Sequence, residues 1–161
     1  MERNELLPHK TFWLFDIIDF AEINASEKGV VGALKLEKLN VKVREELRKN
    51  DFYLEGWDLI RDFRGPTDPG LSRMLNKYQK LDLIELQDIE NRTIKYTLTE
   101  KGRNFKHGLE KYTSKINPVF QELKEGVNNM LLKEIHKSGK ELVETSDEIK
   151  EMKKEILGKK L

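Results

Sequence analysis

The stretch from Phe12 to Ile23 constrains the fold more than any other part of the chain. Its apolar residues are Phe12, Trp13, Leu14, Phe15, Ile17, Ile18, Phe20, Ala21 and Ile23. On a helix they cover most of the circumference, so the remaining chain must wrap around it. The pattern predicts a central helix from about Phe12 to Ala25, with Thr11 as N-cap and Lys28-Gly29 ending it. Asp16, Asp19 and Glu22 interrupt the run, which rules out a membrane span. In a buried helix, Asp16 and Asp19 are expected to pair with Lys or Arg. Trp13, Phe15 and Phe20 fit a plain core better than a ligand pocket.

A shell around that helix has to be largely polar. Charged residues make up 37% of the 161 residues, against about 25% in an average soluble domain. The net charge is only +1, so the protein has no global field drawing it to nucleic acid, and any such footprint must be local. There is no cysteine, which excludes disulfides, thiolate metal sites and cysteine nucleophiles. Met1-Glu2-Arg3-Asn4-Glu5 lacks the layout of a signal peptide, and the expected location is the cytoplasm.

Leu34, Leu36, Leu39, Val43 and Leu47 predict a second helix to about Asn50. Residues 51–67 hold too many apolar groups for a solvated loop. They read as a packed connection with a short strand or turn of helix, closed by Gly65-Pro66. Thr67 or Asp68 is the expected cap of the next helix, with Pro69 in its first turn and a stripe of Leu71, Met74, Leu75, Tyr78 and Leu81. Two strand-like runs follow, Leu83 to Leu86 and Thr93 to Leu98, on either side of a polar tip at 87–92. Thr99-Glu100-Lys101-Gly102 opens a further helix.

The last segment begins with Asn117 as expected N-cap and Pro118 at the first helical position. Leu123, Val127, Leu131 and Ile135 form one stripe. Leu142, Ile149, Met152 and Ile156 form a second, close to a heptad pattern, with Gly139 between them as a kink or a turn. With Lys and Glu on the other faces, this spacing predicts a dimerisation arm.

The junctions suggest a function. If Leu71, Met74, Leu75 and Tyr78 face the core, the same helix presents Ser72, Arg73, Asn76, Lys77, Gln79 and Lys80 outward. Arg, Asn and Gln can make bidentate contacts to base edges in the major groove, and Ser72 with the first-turn N–H groups can hold a phosphate. Asn91, Arg92 and Lys95 lie on the hairpin and Arg64 just before the helix. Arg61, Lys101, Arg103 and Lys106 flank the same region. Asp82, Glu85, Asp88 and Glu90 stand close by and oppose phosphate binding. His9, His107 and His136 lie in different segments. The His107/Glu110 spacing alone reads as a solvated helix face rather than a metal site.

Three strings carry a family resemblance: Leu71-Ser72-Arg73-Met74-Leu75, Leu81-Asp82-Leu83-Ile84-Glu85 and Tyr96-Thr97-Leu98-Thr99-Glu100-Lys101-Gly102. With them the chain resembles winged-helix regulators of the MarR and PadR kind, in which the last string marks the returning wing strand and the cap of the next helix. From Phe52 to Gly102 it also looks like YwgA-like and SocA-like winged-helix proteins, with Arg64-Gly65-Pro66 where those commonly show Tyr-Gly-Pro. The resemblance implies a mainly α fold with a small β-hairpin wing. The expected organisation is a winged helix-turn-helix domain over 9–114 and a helical arm over 115–161.

The expected function is sequence-specific binding of double-stranded DNA by a homodimeric transcriptional regulator. No cofactor, catalytic group or membrane contact is expected. The alternative is an adaptor that uses the same scaffold to bind another protein.

Overall fold

In a computed structural model of the chain, residues 10–54 and 57–161 are described. The molecule is mainly helical, with two small antiparallel sheets. Helix α1 (Lys10–Asn24) runs through the centre, where Phe12, Trp13, Leu14, Phe15, Ile17, Ile18 and Ala21 are buried. It packs against α2 (Ala33–Lys49), α4 (Glu100–Ile116) and α5 (Phe120–Glu134). Its start differs from the sequence expectation. Thr11 lies inside the helix, and its hydroxyl is 2.9 Å from the Tyr78 hydroxyl rather than capping α1.

Between α1 and α2 lies β1 (Val30–Val31), a strand of two residues that periodicity does not reveal. It pairs antiparallel with β5 (Thr93–Leu98), placing Val30 opposite Tyr96. A Cβ on Gly29 would stand 2.8 Å from the Tyr96 carbonyl oxygen, so the glycine permits this close approach. β5 also pairs with β4 (Ile84–Ile89), giving the order β1-β5-β4. β4 runs further than the sequence suggests, which shortens the turn to the three residues Glu90–Arg92.

The packed connection contains two strands, β2 (Ile60–Asp62) and β3 (Gly65–Thr67). Trp57 and Leu59 are buried. The C-terminal residues extend this hairpin: the Leu161 N–H donates to the Leu59 carbonyl at 2.8 Å and the Arg61 N–H to the Lys159 carbonyl at 2.8 Å.

Helix α3 (Leu71–Lys80) starts after Gly70, without a side-chain cap. Asp68, expected as that cap, instead accepts from the Gly70 N–H at 2.9 Å and pairs with Lys10 at 3.0 Å. Asn117 likewise lies ahead of α5, accepting from the Val119 N–H at 2.9 Å. At α4 the sequence expectation holds, since the Thr99 hydroxyl accepts from the Gly102 N–H at 2.9 Å.

The C-terminal third departs most from expectation. Leu123, Val127, Leu131, Ile135, Leu142 and Ile149 are at most 5% exposed, all within their own chain. The stripe expected to hold a second copy is therefore core, and that core runs on across residue 114 as one hydrophobic cluster. Nor is the second stripe one helix. Ser138 caps α6 (Gly139–Thr145) in a capping box, and Ser146 ends α6 while capping α7 (Asp147–Lys153). Gly139 opens α6 directly after the turn at 135–138 that separates it from α5, so of the two expectations the turn between two helices is met and the kink is not. Of the second stripe only Ile156, 78% exposed, stands clear of the core, and Met152 packs partly against it. Ion pairs reinforce the docking, with Lys42 Nζ 2.9 Å from Glu148 and Lys49 also bonded to Glu148.

Candidate nucleic-acid interface

Helix α3 divides cleanly into two faces. Leu71, Leu75 and Tyr78 are buried and Met74 half-buried, while Ser72, Arg73, Asn76, Lys77, Gln79 and Lys80 are exposed. The division follows the three- and four-residue spacing of the apolar positions. Leu81, placed on the stripe by spacing, is 47% exposed because the helix has ended there. Arg73, Lys77 and Lys80 are the only charged residues of α3, so its outward face is purely cationic. The Lys77 ammonium stands 5.5 Å from the Tyr78 ring centroid.

The hairpin β4–β5 follows α3 directly, and α3 packs against β4. Asn91 and Arg92 are exposed at its tip, and Lys95 is half-buried on β5. Asn91 and Arg92 both have positive φ, 60° and 61°. Glu85, Asp88 and Glu90 are exposed on the same hairpin, so its surface is mixed in charge.

The other candidates separate from this face. Arg64 is exposed on the β2–β3 turn, where it lines a depression with Lys140, Val143 and Lys153 of α6 and α7. Arg61 donates to the Lys153 carbonyl at 2.8 Å. Lys101 donates to the Leu81 carbonyl at 3.1 Å and Arg103 to the Leu98 carbonyl at 3.0 Å, so both brace the junction after the hairpin.

Lys106 is buried. Its Nζ lies 2.8 Å from Asp19 and 3.2 Å from Asp16, which is the pairing expected for the two acids of the central helix. Asn128 donates to the second oxygen of Asp16 at 2.8 Å. Burial works against the Lys106 charge, but the adjacent carboxylates outweigh it and raise its pKa. This cluster ties α1, α4 and α5 together.

The N-terminus of α3 does not suit a phosphate. The Gly70 N–H is already bonded to Asp68, and Glu37, Asp62 and Asp68 line the depression beside Ser72. Glu110 is paired with Lys124 at 2.9 Å, so the His107/Glu110 spacing marks an ion-paired helix face. Among the described residues, no three His, Asp or Glu side chains come together as metal ligands, and no helix is long and apolar enough to cross a membrane. His9 lies outside the described residues.

No family model, curated protein or solved structure matches this chain.

Proposed function

We propose that this chain is a winged-helix protein that binds double-stranded DNA and acts in the cytoplasm as a transcriptional regulator. The observation that carries this reading is the sheet order β1-β5-β4. A strand between the first two helices pairs with the return strand of a hairpin that directly follows the third helix. In a helix-turn-helix the third helix enters the major groove, with the hairpin as a wing beside it. The cationic outward face of α3 supports the assignment: Arg73, Lys77 and Lys80 neutralise phosphates, and Arg73, Asn76 and Gln79 reach base edges. Arg92 and Lys95 steady the register from the wing.

One copy of the chain carries this activity, because most of the stripe expected to make a homodimer is buried. The acidic residues of the hairpin favour a second reading, an adaptor whose winged helix binds protein. Fluorescence anisotropy with mixed-sequence duplex DNA at two salt concentrations separates the two. Three to five phosphate contacts predict a log–log salt slope of roughly −3 to −4.5. Absence of binding at low salt transfers the assignment to the adaptor.

A further inference from the structure

Two tight turns, one in the β2–β3 hairpin and one after α7, present bulky apolar residues side by side. Asp62 pairs with Gly65, which leaves Phe63 and Arg64 as a two-residue tip. Ile156 to Lys159 close the second turn, with the Lys159 N–H donating to the Ile156 carbonyl at 3.0 Å and Gly158 at φ 86°. A glycine with positive φ in that place is the mark of a type II turn, and it puts Leu157 at the corner. The Gly158 N–H donates to the Arg61 carbonyl at 2.7 Å, so the two turns are held against each other. Phe63 and Ile156 are each 78% exposed and Leu157 is 52% exposed. Exposed apolar residues are ordinary when scattered singly, but three on adjoining turns form a patch that marks an interaction surface.

The charge beside this patch is an independent observation. A depression of about 390 Å³ is lined by Arg64, Lys140 and Lys153, with Glu144 as its one carboxylate. Glu144 lies 3.9 Å from Lys140. Arg64 and Lys153 are exposed and in no ion pair among the described residues, so two positive charges are left uncompensated. The acids that flank the turns do not cancel them. Glu151 is paired with Lys154 at 2.7 Å and Glu155 with Lys159 at 2.8 Å. Asp62 stands close enough to the buried Lys38 ammonium to favour its charge.

We propose that this face docks on the surface of an anionic phospholipid bilayer. Phe63, Ile156 and Leu157 enter the boundary between headgroups and acyl chains, while Arg64, Lys140 and Lys153 hold lipid phosphates. Apolar insertion and basic attraction are the two contributions that together make peripheral binding stable. Side chains that protrude from turns suit a fluid medium that closes around them. A folded partner would need a matching pocket, and DNA would leave the apolar side chains in water. The chain lies on the bilayer and does not cross it through a described helix, none of which is long and apolar enough. Spacing alone suggests no such contact, because Phe63 and Ile156 lie far apart in the chain and only the fold joins them. The docking does not depend on what the outward face of α3 binds.

The test is co-sedimentation of the full chain with vesicles of phosphatidylglycerol and phosphatidylcholine in equal parts, and with vesicles of phosphatidylcholine alone. Binding to the anionic vesicles is expected, about tenfold or more tighter than to the neutral ones. Phe63→Ser with Ile156→Ser should weaken it by about tenfold or more, with the urea midpoint and DNA affinity of wild type. Arg64→Gln with Lys153→Gln should remove most of the preference for anionic lipid. The chain has no cysteine, so Leu157→Cys and Asn76→Cys each take a single environment-sensitive fluorophore. The label at position 157 should shift to the blue on the anionic vesicles, and the label at position 76 should not. Three results would overturn the proposal: no sedimentation with anionic vesicles, wild-type binding by the folded serine variant, or a blue shift at position 76 in place of 157.

Discussion

Val30 stands directly opposite Tyr96 in an antiparallel ladder, although the two lie far apart in sequence. This pairing joins the segment between the first two helices to the return strand of the β4–β5 hairpin. It converts a bare hairpin into a three-stranded sheet. The hairpin is thereby held against the helical core next to α3, which a wing must be if it is to meet DNA together with a recognition helix.

The glycine that closes the Thr99-Glu100-Lys101-Gly102 string is dictated by packing. A Cβ there would stand 1.9 Å from the Leu83 carbonyl oxygen. Backbone cannot yield as a flexible side chain would, so Gly102→Ala is expected to cost about 3 kcal/mol or more. Urea unfolding of the variant measures it, and a loss under about 1 kcal/mol would show that α4 and the start of β4 are further apart.

Burial of the C-terminal stripe within its own chain makes it a determinant of stability. Leu131 is 0% exposed, so Leu131→Ala is expected to cost about 2–5 kcal/mol. Sedimentation should show the same mass for wild type and the folded variant. A variant that keeps its stability but loses a dimer would restore the stripe as an interface.

Glu148 gives the stability a pH dependence at the acid end. Burial works against its charge, but the ammonium groups of Lys42 and Lys49 beside it outweigh that and lower its pKa from 4.5. Its contribution is therefore present above pH 4.5 and is lost as pH falls through the lower folded value. Glu148→Gln should cost about 1 kcal/mol at neutral pH. Unfolding curves of the two proteins should converge in acid, and a gap that stays constant with pH would contradict the linkage.

Arg92 occupies the left-handed region at φ 61°, which costs a residue with a Cβ about 1 kcal/mol or more. Arg92→Gly is expected to stabilise the fold by about 0.5–1 kcal/mol while weakening DNA binding. Calorimetry and anisotropy on the same variant read the two effects. A stabilised variant with unchanged affinity would remove the wing tip from the interface.

Helices α2, α3 and α4 and the β4–β5 hairpin are legible because amphipathic spacing and strand-like runs mark them, and at α4 the Thr99 cap marks the start as well. The outward face of α3 was legible for the same reason. β1 was not, since two valines carry no period and their partner lies on a distant strand. The spacing of the C-terminal stripes shows that they are helical and apolar, but it does not tell whether a stripe packs on a second copy or on its own chain. Ser146 divides the second stripe through a cap that looks, in sequence, like any exposed helical serine. Lys106 appeared to flank a basic face, and only the packing of α4 on α1 turns it inward onto Asp16 and Asp19. The carboxylates around the first turn of α3 come from α2, β2 and the segment before α3, so only the folded chain places them beside Ser72.

The most direct test of the central claim compares wild type with the double variant Arg73→Ala, Lys77→Ala for binding to duplex DNA by anisotropy at low salt. Both side chains are exposed and neither is in an ion pair among the described residues, so the variant should unfold with the wild-type midpoint. If α3 is the recognition helix, affinity should fall by about tenfold or more, and the salt slope should flatten by roughly 2. A folded variant that binds DNA as tightly as wild type, with the same slope, would contradict the assignment.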